Sequence, residues 1–136
     1  MEAFEPLLLG LGNFVIYFGM GLVALLLFKV LYTLFTPYDD WALVKNQNSA
    51  AACALGGAII GFAIALGSAA SNSVSMLDFA VWAVVALVAQ IVAYFVVRLF
   101  MPLISQRIQD NEVPAGIVLG SVSIAIGILN AASMTY

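Results

Sequence analysis

Four apolar stretches, roughly 7–35, 50–70, 79–101 and 114–133, run almost without charge and are separated by polar breaks. A hydrocarbon core about 30 Å thick is crossed by roughly 20 apolar residues as helix, because a helix satisfies its backbone hydrogen bonds within the segment. The pattern predicts an all-α integral membrane protein with four transmembrane helices, a single four-span domain over residues 1–136. Composition agrees: 65% of residues are hydrophobic, 8% are charged, and the mean hydropathy is +1.14. As helix, Leu7 to Phe35 runs on the order of 43 Å, longer than the core it crosses. It must tilt or protrude, and Lys29 puts its own end near the interface, where an ammonium can snorkel to the headgroups. The acidic opening with Glu2 and Glu5 lacks the basic start of a secretory signal, so the first stretch reads as a retained span.

Orientation follows from the bases. Lys29 and Lys45 flank the loop at about 36–49, Arg98 and Arg107 flank that at about 102–113, and the termini and the 71–78 turn carry none. The positive-inside rule makes those two loops cytoplasmic and the topology N-out/C-out, with both termini periplasmic if the membrane is a bacterial inner membrane.

The same inventory excludes most chemistry. A net charge of −3 with no basic tract rules out nucleic acid as a partner. With no histidine and one cysteine, Cys53, the chain has no internal disulfide and no usual ligand set for zinc, haem or iron–sulfur clusters. A serine nucleophile has no base, and a proton-coupled transporter would need an acid at mid-depth. Asp39 and Asp40, adjacent on a helix, diverge, so they make a poor metal pair even with Asp110 and Glu112 nearby. No catalytic residue, metal or cofactor is expected, and Cys53 reads as a small packing residue.

An offset of 63 residues pairs Asn48 with Asn111, Gly57 with Gly120, Leu66 with Leu129 and Ala69 with Ala132. The chain thus reads as two tandem helical hairpins in parallel orientation, with halves at about 7–70 and 79–133. In the first connection, Thr36-Pro37-Tyr38-Asp39 resembles a helix start, with Thr36 as N-cap and Pro37 in the first helical position. That short helix would offer Thr36, Pro37, Asp39, Asp40 and Trp41 to a cytoplasmic partner or a gate, as Arg107 would in the second connection. Asn48 or Ser49 can cap the second span, and Asp110 or Asn111 the fourth.

Within the membrane, Gly116, Gly120, Ser123 and Gly127 share one helical face, and Gly57 and Gly61 form a similar stripe in the second span. Small stripes admit close helix approach, either inside the chain or as a homo-oligomer interface; the sequence leaves both open. Gln90, at the middle of the third span, must face protein or water. Asn13 and Asn130 lie nearer the outer side, where a polar cluster can form.

These residues also carry a resemblance. Thr36 through Leu43, Asn48 through Gly57, Ser71 through Phe79 and the closing Asn130 through Tyr136 resemble the YjfL type of bacterial inner-membrane protein, domain of unknown function family 350. The resemblance spans essentially the whole chain. It implies a four-span inner-membrane protein of two similar halves linked to envelope physiology, and it brings no activity, substrate or site residue. The expectation is a non-enzymatic membrane component, in contact with lipid, that assembles through glycine faces and binds a cytoplasmic or membrane protein partner. The alternative is an oligomeric channel or facilitator for a small solute or ion, with Gln90 on its pathway.

Overall fold

The computed structural model describes residues 4–134, so Glu2 of the acidic opening and Thr135 and Tyr136 of the closing motif lie outside the described residues. The order is α1 (Phe4–Phe35), α2 (Asp40–Lys45), α3 (Ser49–Asn72), α4 (Met76–Phe100), α5 (Ile104–Gln109) and α6 (Val113–Ser133). α1, α3, α4 and α6 are each long and apolar enough to cross a membrane. Their ends fall within three residues of the stretches read from hydropathy, which is the ordinary uncertainty of helix ends.

The centre of the fold is the pair α3 and α6, which run in the same direction with their small-residue faces together. A Cβ added to Gly57 would stand 2.6 Å from the carbonyl carbon of Gly120, and one added to Gly127 would stand 2.6 Å from Cα of Gly61. Gly116 faces the backbone of Ala50 in the same way, and Gly120 that of Cys53. Between helices in lipid there is little hydrophobic gain, so association rests on dispersion and backbone proximity, which these residues maximise. The stripes of Gly57 and Gly61 and of Gly116, Gly120, Ser123 and Gly127 therefore meet each other inside one chain. Cys53 supplies a backbone carbonyl to that contact while its thiol is exposed on the outside of the bundle, so the packing role belongs to its main chain.

α4 lies across this pair, burying Phe79, Ala86, Gln90, Ala93, Tyr94 and Val97 along one face. Ser75 opens it, accepting from the Asp78 amide at 3.1 Å, while Asp78 accepts from the Val74 amide at 3.2 Å. This is close to a capping box, with the Asp78 carboxylate reaching the amide one residue before the N-cap. α1 is the loosest member. Only Phe28 and Tyr32 on it are buried, and Phe28 stacks on Phe62 of α3 with ring centroids 4.5 Å apart. Toward its N-terminus α1 stands off, leaving apolar grooves of about 410 Å³ beside α3 and about 580 Å³ beside α4. Asn13 is exposed on α1 and does not join a cluster with Asn130, whose amide nitrogen is buried without a hydrogen-bond partner.

Candidate functional site

Where α1 and α4 end, two connections fold into a cap of short helices. Pro37 restricts Thr36 and removes an amide, so α1 stops at Phe35. The next helix does not restart at Pro37 with Thr36 as its cap. Asp39 is the N-cap, accepting from the Ala42 amide at 3.2 Å, and α2 begins at Asp40. A carboxylate held three residues before a free amide outcompetes the threonine hydroxyl, which turns inward.

That inward turn builds a buried polar cluster. The Thr36 hydroxyl donates to Asp40 Oδ2 at 2.8 Å, and Asp40 is only 1% exposed. Around it stand Tyr38 of the connecting segment, Tyr32 of α1 and Tyr94 of α4, the last two in edge contact with centroids 6.4 Å apart. Tyr94 also shares a hydrogen bond with Ser105 of α5. Asp40 Oδ1 and the hydroxyls of Tyr32 and Tyr38 are buried without hydrogen-bond partners. Burial pushes the Asp40 carboxyl up to about 6, against the hydrogen bond from Thr36, which favours the anion. Burial, with the Asp40 charge beside it, also pushes the Tyr38 phenol above its ordinary range.

A second device stitches the two connections together. Gln47 and Asn111 both adopt left-handed backbone, with φ of 64° and 59°, a conformation asparagine tolerates well. Asn48 caps α3 by accepting from the Ala51 amide at 2.8 Å, and its own amide donates to the carbonyl of Ile108 at 2.8 Å. Asn111 accepts from the Ala50 amide at 3.0 Å. So α3 is capped from both connections, whereas α6 starts at Glu112 with no side-chain cap and Pro114 in its first turn. Neither Asp110 nor Asn111 caps the fourth span. Proline removes one of the amides a cap would serve, which frees Asn111 for α3. Matching conformations lie 64 residues apart, so Gln47 corresponds to Asn111 and Asn48 to Glu112; the 63-residue offset slips by one here.

The outer surface of the cap carries different chemistry. Trp41, 43% exposed, lies between Lys29, 4.2 Å from its ring centroid, and Lys45, at 5.9 Å. Such contacts contribute roughly 0.5–1 kcal/mol when exposed. Arg107 pairs with Glu112 at 3.3 Å, and Gln106 donates to Asp110 at 3.1 Å. Of the residues expected to face a partner, Pro37, Asp39 and Trp41 are exposed and Arg107 partly so, but Thr36 and Asp40 are buried. No three acidic or cysteine side chains converge among the described residues.

Gln90 is fully buried at mid-membrane. Its amide donates to the backbone carbonyl of Ser123 at 3.0 Å, and Gly61 leaves the space it occupies, since a Cβ there would stand 2.7 Å from Gln90 Nε2. It holds α4 to the α3–α6 pair. Its Oε1 is buried without a partner, as is the Ser123 hydroxyl. Gln90→Leu loses one hydrogen bond and one unpaired acceptor together, so its stability in lipid should stay within about 1 kcal/mol of wild type. Gln90→Ala leaves a void as well and should lose about 2 kcal/mol or more in the same thermal or chemical unfolding measurement.

The model of the Domain of Unknown Function (DUF350) family matches residues 6–134. The chain is a DUF350 protein. Curated relatives include the UPF0719 inner membrane protein YjfL of Escherichia coli K12, 41% identical over 120 residues, covering 88% of this chain and 91% of that protein. The UPF0719 transmembrane protein YshE of Bacillus subtilis is 28% identical over 120 residues, covering 87% and 90%. No solved structure matches. With four helices fit to span a bilayer and membrane-protein relatives along nearly its whole length, this DUF350 chain is an integral membrane protein. The sequence did not single out Tyr32, Tyr94 or Ser105, and Tyr38, which it reads as part of the short helix of the first connection, is instead buried ahead of α2.

Proposed function

We propose that this protein is a non-enzymatic component of the bacterial inner membrane whose cap of α2 and α5 lies on the cytoplasmic side and binds a protein partner. The observation that carries this reading is the crossing of Asn48 and Asn111 between the connections. It holds two short helices in one fixed unit whose outward surface bears Asp39, Trp41, Lys45, Gln106 and Arg107. A polar surface with one exposed aromatic anchor and charged neighbours has the composition of a recognition patch.

Orientation rests on charge. Lys29, Lys45, Arg98 and Arg107 all belong to the capped end, which supports placing it inside and both termini in the periplasm. The name of the Escherichia coli relative supports the inner membrane as the location. The two halves repeat one order, long helix, short helix, long helix, at an offset of 64 residues across the connections, which supports a duplicated hairpin. The glycine faces are spent inside the chain, so a homo-oligomer would use another surface. A channel has less support, because Gln90 is engaged with the Ser123 backbone inside the bundle.

Photo-crosslinking in living cells tests the proposal. Probes replacing Trp41 and Gln106 should each give the same discrete protein adduct, and Trp41→Ala should weaken that from 106 several-fold. A probe replacing Leu8, exposed on α1, should give lipid alone. Cap positions that give only the Leu8 pattern would overturn it.

A further inference from the structure

We propose that Lys29 and Lys45, gathered on the ring of Trp41, are the headgroup site of one anionic phospholipid, whose acyl chain lies along α1 below Lys29. The inference goes beyond the partner reading and stands without it. Lys29 sits six residues before Phe35, the last of α1, so a lipid reaches it from within the bilayer.

Depth comes first. Lys29 belongs to a helix apolar enough to span the membrane, and an ammonium there has to reach headgroup level. In the fold it reaches the indole of Trp41, 4.2 Å from the ring centroid, so α2 brings Trp41 to that level, where amphipathic rings concentrate. Lys45, one turn on from Trp41 in α2, comes to the same ring at 5.9 Å. The two ammoniums therefore stand no more than about 10 Å apart, close enough to repel each other where the dielectric is low.

Among the described residues, no carboxylate pairs with either lysine. Of the two beside Trp41 in the chain, Asp39 accepts from the Ala42 amide as N-cap, and Asp40 turns inward to accept from Thr36. The one ion pair joins Arg107 to Glu112 among those residues. Two unpaired cations at headgroup depth call for an anion from the headgroup layer, and the phosphodiester of a phospholipid supplies it. A zwitterionic headgroup would bring a third cation to the pair, so a headgroup of net negative charge is preferred.

The surface below Lys29 fits the rest of the lipid. Leu26, Leu22 and Phe18 precede it by three, seven and eleven residues, so they share its face of α1, and all three are exposed. Leu22 and Phe18 also line the apolar groove of about 410 Å³ beside α3. A chain whose phosphate rests between the lysines runs down this stripe and into that groove. Free phosphate would meet the cations and leave both bare.

Native mass spectrometry of the whole protein, released from nanodiscs of equimolar phosphatidylglycerol and phosphatidylethanolamine, tests this. One phosphatidylglycerol should stay bound with about 25-fold preference, since each basic side chain at a membrane surface strengthens anionic-lipid binding about fivefold. Lys29→Gln and Lys45→Gln should each lower the preference about fivefold, and Lys29→Arg should keep it. Excess glycerol phosphate should not displace the lipid; displacement would overturn the part given to the acyl chain. Equal retention of the two lipids by the wild-type protein, a result that needs no variant to fold, would overturn the site. A preference that neither glutamine variant moves would overturn the assignment to these lysines. The crosslinked adduct at position 106 reads the partner and the retained lipid reads this site, so either can fail alone.

Discussion

Gly57→Leu or Gly120→Leu should abolish the four-helix fold in the membrane, whereas Gly56→Leu and Gly67→Leu should leave it intact. All four are glycines on apolar helices, two of them one residue apart, yet their surroundings differ. A Cβ on Gly57 would stand 2.5 Å from the Gly120 carbonyl oxygen, and at Gly56 or Gly67 nothing lies within 4 Å. The obstructing atoms are backbone, so no rotamer change relieves them and α3 and α6 must separate. Overpacking that side chains can absorb costs about 1–3 kcal/mol; displacing two backbones loses the dispersion of the whole interface and exceeds that range. Thermal unfolding in nanodiscs reads the difference. Loss of oligomer mass with the monomer fold intact would instead place the glycine faces between subunits.

Asn48→Ala should cost about 2 kcal/mol, a large effect for a residue at the end of a helix. One side chain performs two tasks. It caps α3 at the Ala51 amide, a role worth about 1 kcal/mol, and it satisfies the carbonyl of Ile108 across the cap. Its removal takes away one of two donors to that carbonyl, which keeps the Asn111 amide at 3.0 Å, so the further loss is about 1 kcal/mol. Asn111→Gly keeps the left-handed backbone and removes only the bond to the Ala50 amide, so it should cost about 1 kcal/mol. Because the two asparagines cap one helix and join the same two connections, their effects should be non-additive in a double-mutant cycle. Strict additivity would mean that the connections fold independently.

The spans were legible because a bilayer imposes length and apolarity residue by residue, and hydropathy reads both directly. Gln90 was legible for a related reason: an amide at mid-depth has to find a partner, although its acceptor, the Ser123 carbonyl, is a backbone group that no pattern of side chains announces. The small-residue stripes could be read as faces but not assigned to a neighbour, since close approach demands the same residues within a chain and between chains. The cap was the least legible part. Asp39 and Asp40 look alike in the sequence, and which one caps and which one is buried depends on where α2 begins. That start is set by competition between Thr36 and Asp39 for the same free amides. The role of Asn111 was hidden because its partner, Ala50, is 61 residues away.

A cap that binds a cytoplasmic partner has to face the cytoplasm, and thiol accessibility tests this most directly. In a Cys53→Ala background, single replacements Val74→Cys, in the α3–α4 turn, and Gln106→Cys, on the cap, put one exposed thiol at each end of the bundle. A membrane-impermeant maleimide added to intact bacterial cells with a permeabilised outer membrane should label position 74 and spare position 106 until the inner membrane is opened. Labelling of 106 in cells whose inner membrane is intact, with 74 protected, would invert the topology and contradict the proposed function.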